Sequence, residues 1–175
     1  KKPYFIEKII DVKGRKIKQD FSITNEETPR IIDPRNAFIM NSLLKEVINS
    51  GTARKAKRLK REDIAGKTGT TNDLVDAWFA GFNPDIVTIT WMGFDQPKTL
   101  GKNESGSRAA LPIWIDYMKP IIKEYPSKML ETPDGIIPLR INTKNGMLAD
   151  KDEPGIYEYF YDEFPPNSNA YFLLN

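Results

Sequence analysis

Hydrophobic positions change their spacing several times along the chain, and each change marks an element. Over residues 3–18, Tyr4, Phe5, Ile6, Ile9, Ile10, Val12 and Ile17 are aromatic or β-branched, and Lys13-Gly14 supplies a turn, which predicts a hairpin. Residues 20–30 are polar, contain Pro29, and read as a loop. The spacing then predicts a helix over 33–50. Asp33 suits its cap, Pro34 suits its first position, and Ala37, Met40, Leu44 and Val47, with Leu43 and Ile48 beside them, form an apolar face. Gly51 is expected to end it in a left-handed conformation. Residues 63–71 form a short extended candidate. Residues 77–82 and 86–94 read as strands joined by Asn83-Pro84-Asp85. The second run, IVTITWMGF, is nearly continuous in β-formers, so both its faces are expected to be covered. Trp78, Phe79, Phe82, Trp91 and Trp114 are accordingly assigned to the core, and Asp73 and Asp76 to turns or strand edges. A helix follows over 107–124, with Ile113, Trp114, Tyr117, Met118, Ile121 and Ile122, its ends blurred by Pro112 and Pro120. Short strands fall within 133–161 around a turn-rich 142–146. Pro165-Pro166 closes the fold, leaving 167–175 as a tail. The pattern is that of an α+β fold, an antiparallel sheet flanked by helices.

Composition narrows the chemistry. The chain contains neither His nor Cys. Ser-His-Asp triads, imidazole acid–base catalysis, thiolate nucleophiles, disulfides and His/Cys metal sites are therefore excluded. Lys, Ser, Thr, Tyr, carboxylates and backbone groups remain, and no cofactor or metal is expected. With 39% hydrophobic residues the chain can bury a core. No apolar run approaches a membrane span, and no signal-peptide pattern opens the chain. Charge is uneven: residues 1–61 hold 16 Lys and Arg against 7 Asp and Glu, and residues 62–175 hold 10 against 17. The densest basic run, Arg54, Lys55, Lys57, Arg58, Lys60 and Arg61, lacks the interleaved aromatics of a nucleic-acid platform, so it reads as a solvated loop or helix end.

The informative segment is Ala65-Gly66-Lys67-Thr68-Gly69-Thr70-Thr71. Gly66-Lys67-Thr68 imitates the end of a phosphate-binding loop. That loop needs a further Gly where Arg61 stands and a helix where Gly69, Asn72 and Asp73 oppose one. Lys67-Thr68-Gly69 instead matches the third signature of serine acyl-transferases acting on penicillin-like groups. On a strand, Lys67 puts a positive charge beside a nucleophile. Neighbouring hydroxyls can hold a carboxylate, and Gly69 lets an extended peptide approach the strand edge. The amide after Gly69 can point at a developing oxyanion.

The surrounding run DIAGKTGTTNDLVDAWFAGFNPDIVTITWMGFD resembles the C-terminal part of the transpeptidase domain of class A penicillin-binding proteins. So do PYFIEKIIDVKG and IIDPRNAFIMNSLLKEVINSGTARKA upstream, and ESGSRAALPIWIDYM and TPDGIIPLRINTKNGMLA downstream. The resemblance covers residues 3–166 and implies a penicillin-binding transpeptidase or serine β-lactamase-like fold, incomplete in this chain. It implies a serine enzyme that attacks the D-alanyl-D-alanine end of a peptidoglycan stem peptide, cross-links two stems through an acyl-enzyme, and is inhibited by β-lactams. Lys67 becomes the motif lysine that assists proton movement at the nucleophile. Thr68 and Thr70 become hydrogen-bond partners of the substrate carboxylate, and the Thr70 amide becomes half of the oxyanion hole. A glycosyltransferase domain on the same polypeptide, an inner-membrane anchor and a periplasmic location are implied likewise, without a nucleic-acid partner.

The family also requires Ser-x-x-Lys and Ser-x-Asn. No Ser-x-Asn occurs, and Ser42-Leu43-Leu44-Lys45 fits the first only literally, because Ser42 falls in the middle of the 33–50 helix rather than at a helix start. The nucleophile is expected outside this chain, which then supplies one wall of the site and is inactive alone. Two alternatives remain: a β-lactamase or D,D-carboxypeptidase of the same superfamily, and a non-catalytic module that binds anionic wall polymer through the basic half. The segment Glu104-Ser105-Gly106 is expected to be a solvated loop rather than the mouth of a cleft.

Overall fold

The computed structural model describes residues 9–17 and 31–166. The outer part of the expected hairpin, the loop over 20–30 and the tail lie outside the described residues. The chain divides into two compact units, Lys1–Asp33 and Pro34–Asn175. In the first, Ile10 bridges Lys16 in antiparallel fashion. The Asp11 carboxylate closes the turn by accepting the Lys13 and Arg15 amides, both at 2.8 Å, and Gly14 takes the left-handed φ of +77°.

The second unit begins with helix α1 (Pro34–Asn49). Of its expected apolar face, Ile48 is buried and Val47 packs against the core, whereas Met40 and Leu43 are about half exposed. Gly51 is not left-handed. A Cβ there would lie 2.8 Å from the Val47 Cα, so glycine serves a close approach that lets the chain leave α1 tightly. The basic run forms a short 3-10 helix, Arg54–Leu59, anchored by buried Ala53 and Ala56.

Strands β1 (Ala65–Thr70), β2 (Ala77–Phe82) and β3 (Val87–Met92) pair antiparallel in that order. Thr70 stands opposite Ala77, Lys67 opposite Ala80, and Trp78 opposite Trp91. The Asn83 side chain makes the β2–β3 turn by accepting the amides of Asp85 and Ile86. A wide π-turn, Gly106–Ala110, leads into α2 (Leu111–Ile121). The expected 107–124 helix is thus three pieces: π-turn, α-helix and a 3-10 turn at Ile122–Glu124. Pro112 is the second residue of α2, directly after the π-turn. Finally β4 (Ile136–Ile141) and β5 (Ile156–Tyr161) form a separate hairpin.

The core lies between one face of the sheet and α2. Phe79, Leu111, Trp114 and Met118 are fully buried. Phe79 and Trp114 meet edge to face at 5.0 Å. The Trp114 indole donates to the Thr88 carbonyl at 3.0 Å, which fixes α2 against β3. The opposite face of the sheet has no covering layer among the described residues. Trp78 (41% exposed), Trp91 (45%), Val87 (72%) and Ile89 (61%) stand open, which corrects the expectation that β3 is covered on both sides and that both tryptophans are core. Strand periodicity explains the pattern: cross-strand partners share a face, so Lys67, Gly69, Trp78, Ala80, Ile89 and Trp91 lie together, away from α2. No helix among the described residues is long and apolar enough to cross a membrane.

Candidate active site

β1 is placed by a buried ion pair just before it. Arg61 forks onto Asp63 at 2.8 and 2.6 Å, and its remaining hydrogens reach the carbonyls of Ile122, Tyr125 and Pro126. The Lys128 amide also donates to Asp63. Burial alone would push the Asp63 carboxyl up, but the Arg61 guanidinium and the Lys128 amide outweigh it and hold the group below the ordinary carboxylate value. Arg61 therefore departs from the solvated loop or helix end expected of the basic run. Among the described residues no group of His, Cys, Asp and Glu could hold a metal ion.

Among the described strands β1 is an edge. The Thr71 amide donates inward to the Asp76 carbonyl at 3.1 Å. By antiparallel alternation the amides of Lys67 and Gly69 also point toward β2, and those of Thr68 and Thr70 point outward from the edge. Lys67 rises on the open face, exposed, its Nζ donating to the Thr68 carbonyl at 2.8 Å. Thr68 and Thr70 occupy the opposite face. The edge thus carries an ammonium on one side, two hydroxyls on the other and outward amides between them. That arrangement can receive an extended peptide ending in a carboxylate.

Each hydroxyl is held from behind. The Thr70 Oγ1 accepts the Gly106 amide at 3.0 Å, and the Thr68 Oγ1 lies 2.7 Å from the Thr52 Oγ1. Gly106 is buried where any Cβ would collide with the carbonyl oxygens of Gly69 and Trp78. This corrects the solvated-loop expectation for 104–106. A Cβ on Gly69 would come within 3.2 Å of the Trp78 Cβ, so its bareness also accommodates the neighbouring strand. Asp76 anchors the turn after β1 and accepts the Trp91 indole at 2.8 Å. Ser42 sits in the third turn of α1 and lines a cavity of about 60 Å³ with Phe38, Asn41, Lys45, Met129, Leu130 and Tyr159, none of them from β1. Thr52 carries no motif and sequence reasoning misses it; Gly106 is singled out there only as part of a solvated loop, and the run of small residues around it is the signal that points to a close approach.

The family model for the penicillin-binding protein transpeptidase domain matches residues 1–119. Penicillin-binding protein 1A of Pseudomonas aeruginosa is 49% identical over 160 residues, covering 90% of this chain and 20% of that protein. The protein of the same name from Aquifex aeolicus is 44% identical over 166 residues, covering 95% and 22%. The crystal structure of penicillin-binding protein 1A from Haemophilus influenzae superposes with a TM-score of 0.77 at 33% identity, over 95% of this chain and 30% of that one. The chain spans about a fifth of the length of the curated relatives it matches. With its antiparallel sheet, its Lys-Thr-Gly edge and these matches, the chain belongs to the penicillin-binding protein transpeptidase family.

Proposed function

We propose that this chain forms one wall of a peptidoglycan D,D-transpeptidase site whose nucleophilic serine lies elsewhere in a longer polypeptide. A stem peptide ending in D-alanyl-D-alanine lies along the free edge of β1. Thr68 and Thr70 hold its terminal carboxylate. The serine oxygen attacks the carbonyl of the penultimate D-alanine, and the Thr70 amide receives the oxyanion. The serine proton passes through groups near Lys67 to the departing D-alanine amine. The amine of a second stem then attacks the acyl ester, forming the cross-link and returning the proton to serine. A β-lactam carries a carboxylate and a strained amide in the same relation and is trapped at the ester stage.

The observation that carries this reading is the β1 register, which turns the Thr70 amide to the open edge between the Lys67 face and the two hydroxyls. The uncovered apolar face beside Lys67 supports it, because a nucleophile-bearing segment has to arrive there to meet the ammonium. In the same reading the intact protein is membrane-anchored, works on the periplasmic side of the inner membrane and carries a glycosyltransferase domain.

The test is labelling of the full-length protein by a fluorescent penicillin. Lys67→Ala is expected to lower the acylation rate by about a hundredfold or more, in line with loss of a group that acts in proton transfer. Ser42→Ala is expected to leave it unchanged. Normal labelling of the Lys67 variant, or lost labelling of a folded Ser42 variant, overturns the assignment.

A further inference from the structure

We infer that Thr52 is a positioning residue for the carboxylate-binding hydroxyl of Thr68, an inference that rests on the reading above. Thr52 is 16 residues from Thr68 and belongs to the exit of α1, yet the two Oγ1 atoms are 2.7 Å apart. That is the usual length for a hydroxyl–hydroxyl hydrogen bond. Each hydroxyl has one proton and two lone pairs, so within the pair one oxygen donates and the other sends its proton elsewhere. A carboxylate only accepts. When one binds, the Thr68 proton must turn to it, and Thr68 must then accept from Thr52. Thr52 fixes the direction of the pair and polarises the outer bond. Thr70 has an equivalent support, but from a main-chain donor, the Gly106 amide.

The exit of α1 is built to hold Thr52 in place. The amides of Ser50 and Gly51 both reach the Glu46 carbonyl, at 2.9 and 3.0 Å, and the Ala53 amide reaches the Val47 carbonyl at 2.9 Å. Ala53 is fully buried, and Gly51 lies against the Val47 backbone where no Cβ fits. Thr52 is pinned on both sides, with its hydroxyl aimed at β1. It opens onto a groove of about 600 Å³ whose wall includes Arg54, Lys55 and Arg108 against the single carboxylate of Glu104.

A merely structural tie between α1 and β1 would leave different traces. In the full-length protein, acylation by benzylpenicillin and by its methyl ester is measured for the parent sequence, Thr52→Val, Thr52→Ser and Thr68→Val. For benzylpenicillin, the dissociation constant of the first complex is separated from the acylation step. Thr52→Val is expected to raise that constant about five- to tenfold while the acylation step stays within about twofold, and Thr52→Ser is expected to restore it. The preference for acid over ester falls with the same substitution. An unchanged dissociation constant in Thr52→Val, an equal loss for acid and ester, or a Ser variant as impaired as Val overturns the inference. Thr68→Val separates the two levels. If it leaves acid binding unaffected, the carboxylate reading itself fails. If it weakens acid binding and Thr52→Val does not, only the role of Thr52 fails.

Discussion

Arg61 and Asp63 show how much one pair of side chains settles. The Asp63 side chain is fully shielded from solvent, and that of Arg61 nearly so. Each also reaches main-chain groups of residues 122–128, so the start of β1 is tied to the end of α2. Removing one partner leaves a buried charge uncompensated, so Asp63→Ala is expected to cost about 3–5 kcal/mol in denaturant unfolding. The folded carboxyl lies below its ordinary value, so its contribution is present above that value and lost as acid protonates the folded group. The gap between the parent and Asp63→Ala should therefore narrow toward low pH. A gap that widens in acid contradicts the assignment. The sequence made Lys67, Thr68, Gly69 and Thr70 legible because their chemistry is contiguous. It misread Arg61 because a charge run looks solvated until the partner that buries it is known. Thr52 was hidden for a related reason, since its contact spans 16 residues and leaves no local period.

At the scale of elements, the site depends on the π-turn that lays Gly106 over the Gly69–Trp78 rung of β1 and β2. A methyl group there meets main-chain oxygens, which cannot swing aside as a flexible side chain can. Gly106→Ala is expected to destabilise by about 1–3 kcal/mol, read from thermal or denaturant unfolding, and to slow penicillin acylation because the Thr70 hydroxyl loses its support. Unchanged unfolding and acylation would show that the turn does not brace β1. Alternation and the Asn83-Pro84-Asp85 turn are local signals, and they place β2 over its observed limits and β3 to within two residues. On α1, helical spacing marks Met40, Leu43 and Ile48 as one apolar face, and packing among the described residues buries Ile48 while Met40 and Leu43 stay about half exposed. The π-turn was invisible because its residues also suit an α-helix.

At the scale of the molecule, the sheet has one face against α2 and, among the described residues, one face bare. The sequence of β3 reads as doubly buried, and the described residues bury it once. In the proposed assembly the nucleophile-bearing part of the protein supplies the second layer. Ile89→Ser tests this by context. In the isolated chain it is expected to change stability by no more than about 0.5 kcal/mol, as exposed substitutions do. In the full-length protein it is expected to cost about 2 kcal/mol or more, as for a buried aliphatic group. Equal effects in both contexts would mean that the face stays open.

The most direct measurement is a crystal structure of the full-length protein acylated by benzylpenicillin. The account predicts the drug's carboxylate within about 3 Å of the Thr68 and Thr70 hydroxyls and its ester oxygen on the Thr70 amide. The ester itself should link to a serine outside these 175 residues, near the Lys67 ammonium. An acyl group attached to Ser42, or one seated away from the edge of β1, would contradict it.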